Sequence, residues 1–363
     1  MRHDHKALFG GQMKKKRKHL FSIIYIGITI VVVGLIAIFN QNIEEVFSAI
    51  ASFSVWWLVA CIGVLLLYWL TDALLLHDIT SYMYKREPFL RSLKVGIIGL
   101  YYGAITPFAT GGQPMQVVYM RRNNIPVGTA TCIVCIKFVV YELSLCAMFI
   151  ASMAVRGSYY YANYNEVFWF ATLGFVFNLI AVFAIILTII NKKLVLRTGE
   201  ALIRLLSRAR IIKNDDNTLV SFSKTIDDYH TAAAYISRYK LRAIGSFFIS
   251  VFNLAFFFAI PYFIYLAFGN RLYSLIDILT LQALAYLAVS FFPTPGSAGA
   301  AEGGFLLFFG PVFGKAVYIA MLIWRFFTYY LMLIVGSLLV VLEELFSLRR
   351  RRRETLFNDI EES

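Results

Sequence analysis

Apolar sequence is interrupted twice in this chain, by Thr106-Pro-Phe-Ala-Thr-Gly-Gly-Gln-Pro114 and by Phe292-Pro-Thr-Pro-Gly-Ser-Ala-Gly-Ala-Ala-Glu-Gly-Gly304. We name residues 106–114 the first break and residues 292–304 the second break. Each lies between apolar pieces too short to cross a bilayer alone, because a spanning helix needs about 20 residues. Unpaired backbone groups inside a bilayer cost several kcal/mol, so such breaks survive where they are buried in protein or line a cavity. Paired breaks in two halves of a chain are also typical of a transporter's binding site.

The composition is that of an integral membrane protein. Hydrophobic residues make up 60% of the 363 residues and charged residues only 15%, whereas soluble proteins are about 45–50% apolar and about 25% charged. The net charge of +13 is concentrated in loops on one side of the predicted spans. This distribution favours contact with an anionic membrane over nucleic-acid binding. The four cysteines lie in apolar spans and are predicted to be packing residues.

We predict an all-α, polytopic helical bundle with six full spans and two broken or re-entrant helical hairpins. The hairpins are centred on the two breaks, and one is entered from each side of the membrane, as an inverted repeat requires. The predicted full spans are Leu20–Phe39, Val55–Leu76, Val127–Val155, Val167–Ile190, Ala243–Phe268 and Ala316–Leu342.

Basic residues predict the orientation. Residues 1–19 form a basic tail with seven Lys and Arg, and the loop 191–242 carries eleven against five acids. The positive-inside rule therefore places this tail, the loop and the C-terminal tail 346–363 in the cytoplasm, with residues 20–345 as the membrane domain. Within the loop, leucines at helical spacing with arginines on another face predict a basic amphipathic helix on the anionic leaflet.

The first break is predicted to start a helix. Thr110 and Gln113 have capping-box spacing, and Pro114 suits a first helical turn. A helix that starts here would direct free N–H groups into the gap, where they could bind a phosphate. The candidate lipid-binding residues are Thr110, Gly111, Gly112, Gln113 and Arg121. The alternative is a structural kink followed by ordinary positive-inside arginines.

The second break also resembles a helix start, with charged residues in the neighbouring spans. A charge inside the bilayer costs about 2.5–3.5 kcal/mol on insertion scales, so it should be paired or functional. We predict ion pairs of Glu142 or Glu302 with Arg325 or Lys137, either as a static network or as a polar track for a headgroup or proton. Asp72 is expected at the interface near the end of its span. The lipid-binding candidates are Gly296, Ser297, Glu302, Arg325, Lys137 and Glu142.

Motifs of soluble enzymes do not occur in the sequence. It contains no phosphate-binding P-loop, no G-x-S-x-G elbow and no H-E-x-x-H helix. We expect no metal or cofactor. If the protein were a transferase, Glu302 or Glu142 would be its general base.

The two breaks, in this order and at this separation, resemble the paired signatures of the lysylphosphatidylglycerol synthase transmembrane (flippase-like) family. That family includes the membrane half of the bacterial multiple peptide resistance factor. The resemblance covers residues 20–345. It implies an inner-membrane protein that handles an anionic or aminoacylated phospholipid, such as lysyl-phosphatidylglycerol, or a polyprenyl-linked lipid.

In bifunctional members of that family, a separate cytosolic domain transfers lysine from lysyl-tRNA to phosphatidylglycerol, and the membrane domain carries the product outward. This chain ends soon after its last predicted span, so we expect no lysyltransferase activity, although the family name carries one. The expected function is a lipid flippase or translocase. The alternatives are a phosphatidylglycerol lysyltransferase or lipid-linked transferase, and a membrane partner of a separate soluble synthase. The sequence leaves the oligomeric state open.

Overall fold

The computed structural model describes residues 53–163, 165–190, 192–208 and 238–361, with short pieces between 219 and 231. The described part is helical, contains no strand, and has four segments long and apolar enough to span a membrane. These segments are Trp56–Met83, Val127–Asn163, Lys240–Ala267 and Pro295–Phe346. The predicted all-α polytopic fold is confirmed. The predicted span Leu20–Phe39 and the tail before it lie outside the described residues.

The first half of the described chain contains a spanning helix, a broken hairpin and a second long helix. Its elements are α1 (Trp56–Met83), α2 (Phe89–Ala104), a 3₁₀ turn (Pro107–Ala109), α3 (Gly112–Arg122) and α4 (Val127–Asn163), followed by α5 (Asn165–Ile190) and α6 (Lys192–Arg208). Helices α2 and α3 pack against each other, with the first break at the tip of their hairpin.

The second half repeats the order of helix, broken hairpin and long helix. Its elements are α7 (Lys240–Ala267), α8 (Leu275–Val289), a 3₁₀ turn (Pro295–Ser297), α9 (Ala300–Phe313), α10 (Val317–Arg325), a π-helical turn (Phe326–Tyr330) and α11 (Leu331–Glu361). Helices α8 and α9 form the second hairpin. Helix α11 continues through most of the predicted tail 346–363.

The two halves pack against each other in a symmetric pattern. Helix α1 packs on α7, and the two 3₁₀ turns pack on each other. Helix α4 of the first half packs on α8 of the second hairpin, while α11 of the second half packs on α2 of the first hairpin. Such an exchange of equivalent contacts is what an internal two-fold relation produces, and it supports the predicted repeat.

A large buried core joins the two halves. It contains Leu65 of α1, Phe258 of α7, Leu284 of α8 and Phe305 of α9, together with neighbouring aromatic side chains. A smaller apolar cluster, with Ile98 and Ile133 fully buried, lies between the first hairpin and α4. The breaks are therefore held by packed helices on both sides.

The predicted amphipathic helix is present as α6. Its residues Lys193, Arg197 and Arg204 are exposed and Ile203 is buried. A Cβ atom at Gly199 would lie 2.2 Å from Cζ of Phe222. Part of this helix therefore packs on the segment that contains Phe222. Its contact with a lipid leaflet stays a prediction.

Candidate functional site

The two breaks share one backbone conformation. In each, an extended threonine precedes a proline: Thr106 has φ −120° and ψ 146°, and Thr294 has φ −103° and ψ 147°. The two residues after each proline are left-handed, with φ of 52° at Phe108, 55° at Ala109, 58° at Gly296 and 50° at Ser297. A left-handed conformation costs a non-glycine residue about 1–2 kcal/mol. Three of these four residues are not glycine, so the surrounding structure must hold the shared turn.

A hydroxyl group organises the first break. The Thr106 Oγ1 donates to the carbonyl of Tyr102 (2.7 Å) and accepts from the N–H of Gly111 (2.8 Å). Thr110 instead donates to the carbonyl of Pro107 (2.9 Å), and α3 begins without a side-chain cap. The predicted capping box of Thr110 and Gln113 is therefore wrong, because Thr106 already accepts the N–H of Gly111.

The glycines of the first break allow the backbone of α3 to approach α2. A Cβ at Gly112 would lie 2.7 Å from the carbonyl oxygen of Gly99. Residues 107–110 are exposed and Gln113 is half-buried, so this turn is open at its surface. Pro114 lies in the first turn of α3 as predicted.

Arg121 does not reach the first break. It is an exposed residue in the last turn of α3. Nine residues separate it from Gly112, which is about 13 Å along a helix. There its charge complements the negative end of the helix dipole. The structure therefore does not bring the predicted counter-charge to the predicted anion site.

The second break contains a buried ion pair. The Oε1 of Glu302 accepts from Nε of Arg325 (2.7 Å), and its Oε2 accepts from the N–H of Gly299 (2.7 Å). Arg325 also donates from Nη2 to the carbonyl of Gly296 (3.1 Å). The two side chains are 7% and 4% exposed. The predicted pairing of Glu302 with Arg325 is confirmed, and the carboxylate already occupies the N-terminus of α9.

Aromatic rings enclose this arginine and connect the two breaks. The Arg325 guanidinium lies 5.4 Å from the ring centre of Trp324 and 5.1 Å from that of Tyr329. A Cβ at Gly296 would lie 2.2 Å from Cε2 of Tyr329, so only glycine admits this ring. The Tyr329 hydroxyl makes a long hydrogen bond (3.4 Å) to the carbonyl of Ala104 in the first hairpin. The π-helical turn begins directly after Arg325, and such turns are frequent at functional sites.

Ser297 lies in the 3₁₀ turn of the second break. It is half-buried, and its N–H donates to the carbonyl of Thr294 (2.9 Å). Its contribution to the break is thus through the backbone.

Lys137 pairs with Asp72 rather than with Glu142 or Glu302. Its Nζ lies 2.7 Å from Oδ1 and 2.8 Å from Oδ2 of Asp72. A Cβ at Gly96 of α2 would lie 2.8 Å from Oδ2 of Asp72, so this glycine makes room for the carboxylate. The expected interfacial position of Asp72 is wrong. It is 6% exposed, and α1 continues eleven residues beyond it to Met83.

Glu142 has a neutral partner. The Nδ2 of Asn178 donates to its Oε2, and the Sγ of Cys146 donates to Oδ1 of Asn178 (2.7 Å). Glu142 therefore forms neither of the predicted pairs with Lys137 and Arg325. Its carboxyl group is half-buried between α4 and α5.

Asp72, Tyr141 and Tyr329 are contacts that the sequence analysis missed. The segments Lys137-Phe-Val-Val-Tyr141 and Arg325-Phe-Phe-Thr-Tyr329 lie 188 residues apart, as do Thr106-Pro107 and Thr294-Pro295. In each half, the tyrosine follows the cation by one turn and reaches the other half. Tyr141 makes a 2.6 Å hydrogen bond to the hydroxyl of Tyr286 in α8, and Tyr329 reaches α2. This constant separation was the available signal.

Among the described residues, no group of three His, Cys, Asp or Glu side chains is arranged to hold a metal ion. The site therefore consists of helix ends, two ion pairs, aromatic rings and one carboxyl group with an amide partner.

The comparisons with known proteins agree with this architecture. The chain is 25% identical over 291 residues to a UPF0104 membrane protein of Archaeoglobus fulgidus, which covers 78% of this chain and 86% of that relative. The family model described as the lysylphosphatidylglycerol synthase TM region matches residues 23–336, including both breaks and both ion pairs. This chain belongs to the lysylphosphatidylglycerol synthase TM region family.

Proposed function

We propose that this protein is a lipid translocase of the cell membrane. Its cargo would be an anionic or aminoacylated phospholipid, such as lysyl-phosphatidylglycerol. The observation that carries this proposal is the contact between two helix breaks of the same conformation inside a membrane bundle, with residues 107–110 exposed. Irregular backbone at membrane depth is tolerated where it lines a cavity or is buried in protein. The open turn of the first break gives a polar headgroup a place to enter.

The first break is the better site for the lipid phosphate. The first turn of α3 contains no acidic residue, so the positive end of its dipole has no carboxylate of its own. Gly111, Gly112 and Gln113 form the start of this helix. A phosphate at such an end is stabilised by N–H groups and by the dipole together.

The second break would form the opposite wall of the headgroup path. Arg325 has five N–H donors, and its printed hydrogen bonds to Glu302 and Gly296 use Nε and Nη2. A headgroup between the two 3₁₀ turns would meet the edge of this ion pair at Gly296 and Ser297. An aminoacylated headgroup carries an ammonium group as well as a phosphate, and Glu302 lies on the side that would receive the ammonium.

A transferase fits the same residues less well. Glu302 accepts hydrogen bonds from Arg325 and from Gly299, so its carboxylate is occupied and does not act as a free general base. Glu142 is held by the amide of Asn178. A role as the membrane partner of a separate soluble synthase would use the exposed cations of α6 instead of the breaks.

The orientation proposed here keeps both termini in the cytoplasm. Under the positive-inside rule, the basic loop at Lys85, Arg86 and Arg91 marks the cytoplasmic end of α1 and α2. The first hairpin then enters from the cytoplasm, and the second enters from the outside. Thus a lipid would meet one break from each leaflet.

The test is lipid translocation by the purified protein in liposomes. Fluorescent phosphatidylglycerol, fluorescent lysyl-phosphatidylglycerol and a fluorescent zwitterionic lipid are each followed by their protection from a reductant that does not cross the membrane. We expect the wild type to move the first two faster than the zwitterionic lipid. Thr110→Asp should slow phosphatidylglycerol, because a carboxylate at the start of α3 competes with the phosphate.

Thr110→Asn is the matched control, since it keeps the size of the side chain without the charge. It should translocate phosphatidylglycerol at close to the wild-type rate. Equal rates for all lipids in protein-containing and protein-free liposomes would overturn the proposal. Product formation from phosphatidylglycerol and an acyl donor would favour the transferase instead.

A further inference from the structure

The buried charges in the spans do not balance. Five such side chains lie within the described helices: the cations Lys137 and Arg325, and the acids Asp72, Glu302 and Glu142. Asp72 and Glu302 each take one of the two cations at 2.7 Å. Glu142 is the remaining acid, and the hydrogen bond recorded at its carboxylate comes from the neutral amide of Asn178.

The position of Glu142 makes its charged form costly. It lies near the middle of the 37-residue helix α4, which is long and apolar enough to span the membrane. A carboxylate there pays a desolvation cost that no neighbouring cation offsets, whereas the neutral acid does not. Glu142 thus favours carrying a proton when its surroundings are dry and can release it when water reaches them.

The internal repeat indicates that the fold itself does not require this acid. The separation of 188 residues that relates Lys137 to Arg325 and Tyr141 to Tyr329 relates Glu142 to Tyr330. The second half packs equivalent helices with a tyrosine at this position. The carboxyl group is therefore a feature of one half only, unlike the cation and the tyrosine beside it.

The groups around Glu142 leave one oxygen for a proton. The amide of Asn178 donates to Oε2, and that amide is oriented by the thiol of Cys146. This leaves Oε1 to carry the hydrogen.

Several titratable groups surround this carboxyl. Tyr141 and Cys146 on α4 and Tyr286 on α8 are electrostatically coupled to Glu142. Helix α1 contributes Tyr68, which is coupled to Tyr141. For α3 and α7, which also pack on α4, the described residues show no ionisable partner of Glu142.

We propose that Glu142 is a reversible proton-binding site in the membrane interior, and that its protonation accompanies the rearrangement of the two halves. The step is simple: the carboxylate takes a proton from water on one side, becomes a neutral acid at Oε1, and later returns the proton to water. No oxidant, reductant or cofactor is needed. The proton site rests on the surroundings of Glu142, and its coupling to lipid movement rests on the proposed function.

Labelling with dicyclohexylcarbodiimide tests the proton site without any transport assay. This apolar reagent reacts with protonated carboxyl groups in membranes, and the adduct is located by mass spectrometry of peptides. We expect labelling of Glu142 that increases as the pH falls, and none at the ion-paired Asp72 and Glu302. The variant Glu142→Gln should lose the label, while Glu302→Gln should keep it at Glu142. A wild-type protein without label at Glu142 at any pH would overturn the proton site.

A second measurement tests the coupling. In liposomes, a pH gradient should change the initial rate of lipid translocation severalfold in the wild type, and Glu142→Gln should lose this dependence. Glu343→Gln, which removes a carboxylate that pairs with Lys94, should keep it. An equal dependence on the gradient in the wild type and Glu142→Gln would overturn the coupling. Labelling of Glu142 in a protein that moves no lipid would support the proton site and reject the proposed function.

Discussion

The first and second breaks have the same backbone and opposite electrostatics. In the second, Glu302 covers the start of α9 and is neutralised by Arg325, with both side chains buried. In the first, a threonine hydroxyl accepts one N–H, and no acid lies in the first turn of α3. The same turn can therefore serve as a closed joint in one half and as an open, positive helix end in the other. The difference lies in one carboxylate.

The largest effect is expected from Arg325→Gln. Removing one partner of a buried ion pair leaves an uncompensated charge and typically costs about 3–5 kcal/mol. We expect a loss of this size in the free energy of unfolding, measured on the purified protein in detergent. The double variant Arg325→Gln with Glu302→Gln should recover part of it. A single variant as stable as the wild type would contradict the account of the second break as a joint closed by charge.

Substitution at the shared left-handed position should separate the two breaks. Gly296→Ala meets both a φ of 58° and the ring of Tyr329, so we expect a loss of about 2–3 kcal/mol, toward the upper end of the usual range for strained residues. Phe108→Ala changes the residue at the equivalent place, which already carries a side chain that is 57% exposed. It should stay within about 0.5 kcal/mol of the wild type, as surface substitutions usually do.

The control for this pair is Gly303→Ala, because a Cβ there would meet nothing within 4 Å. Helix propensity alone should make it neutral or slightly stabilising. Similar unfolding temperatures for Gly296→Ala and Gly303→Ala would show that the close approach of Tyr329 is unimportant.

Tyr329→Phe should have a smaller effect. It removes the hydroxyl that bonds Ala104 across the two halves and should cost about 0.5–1.5 kcal/mol, the usual net value of one hydrogen bond. Tyr141→Phe removes the equivalent link to Tyr286 and should cost a similar amount. Thermal unfolding of both variants checks this. A large loss in one and none in the other would contradict the proposed equivalence of the two cross-contacts.

The smallest change in stability is expected from Gln113→Glu, which makes the first break resemble the second. A carboxylate in the first turn of α3 should stabilise the helix by about 0.3–1 kcal/mol through the dipole. The same charge should slow the translocation of phosphatidylglycerol, because it occupies the proposed phosphate position. Gln113→Met is the uncharged control. A faster rate in Gln113→Glu would argue against anion binding at this end.

The helices and the pairing at the second break could be predicted from sequence, and the partners elsewhere could not. Long apolar runs and two Pro-Gly interruptions specify hairpins, and an acid in an apolar span demands a cation, which led to Glu302 and Arg325. Asp72 was misplaced because its span was taken to end at Leu76, whereas α1 continues to Met83 and draws the carboxylate inward. Thr110 was assigned a cap because local spacing does not reveal that Thr106 competes for the same N–H.

Arg121 shows the other limit of such reasoning. Its distance from the break follows from the rise of a helix, yet the sequence does not show that a counter-charge lies across the interface in α10. Tyr329 and Arg325 reach the breaks from a part of the chain about two hundred residues away from the first. Only the separation of 188 residues between equivalent segments carried that information.

The central claim is that a lipid phosphate binds at the start of α3 in the first break. Photo-cross-linking tests it most directly, with a phosphatidylglycerol analogue that carries its reactive group on the headgroup glycerol. The account predicts adducts on the peptide that contains Thr110–Gln113, reduced in Thr110→Asp and retained in Thr110→Asn. Adducts confined to the exposed arginines at the end of α3, with none at the first break, would contradict it.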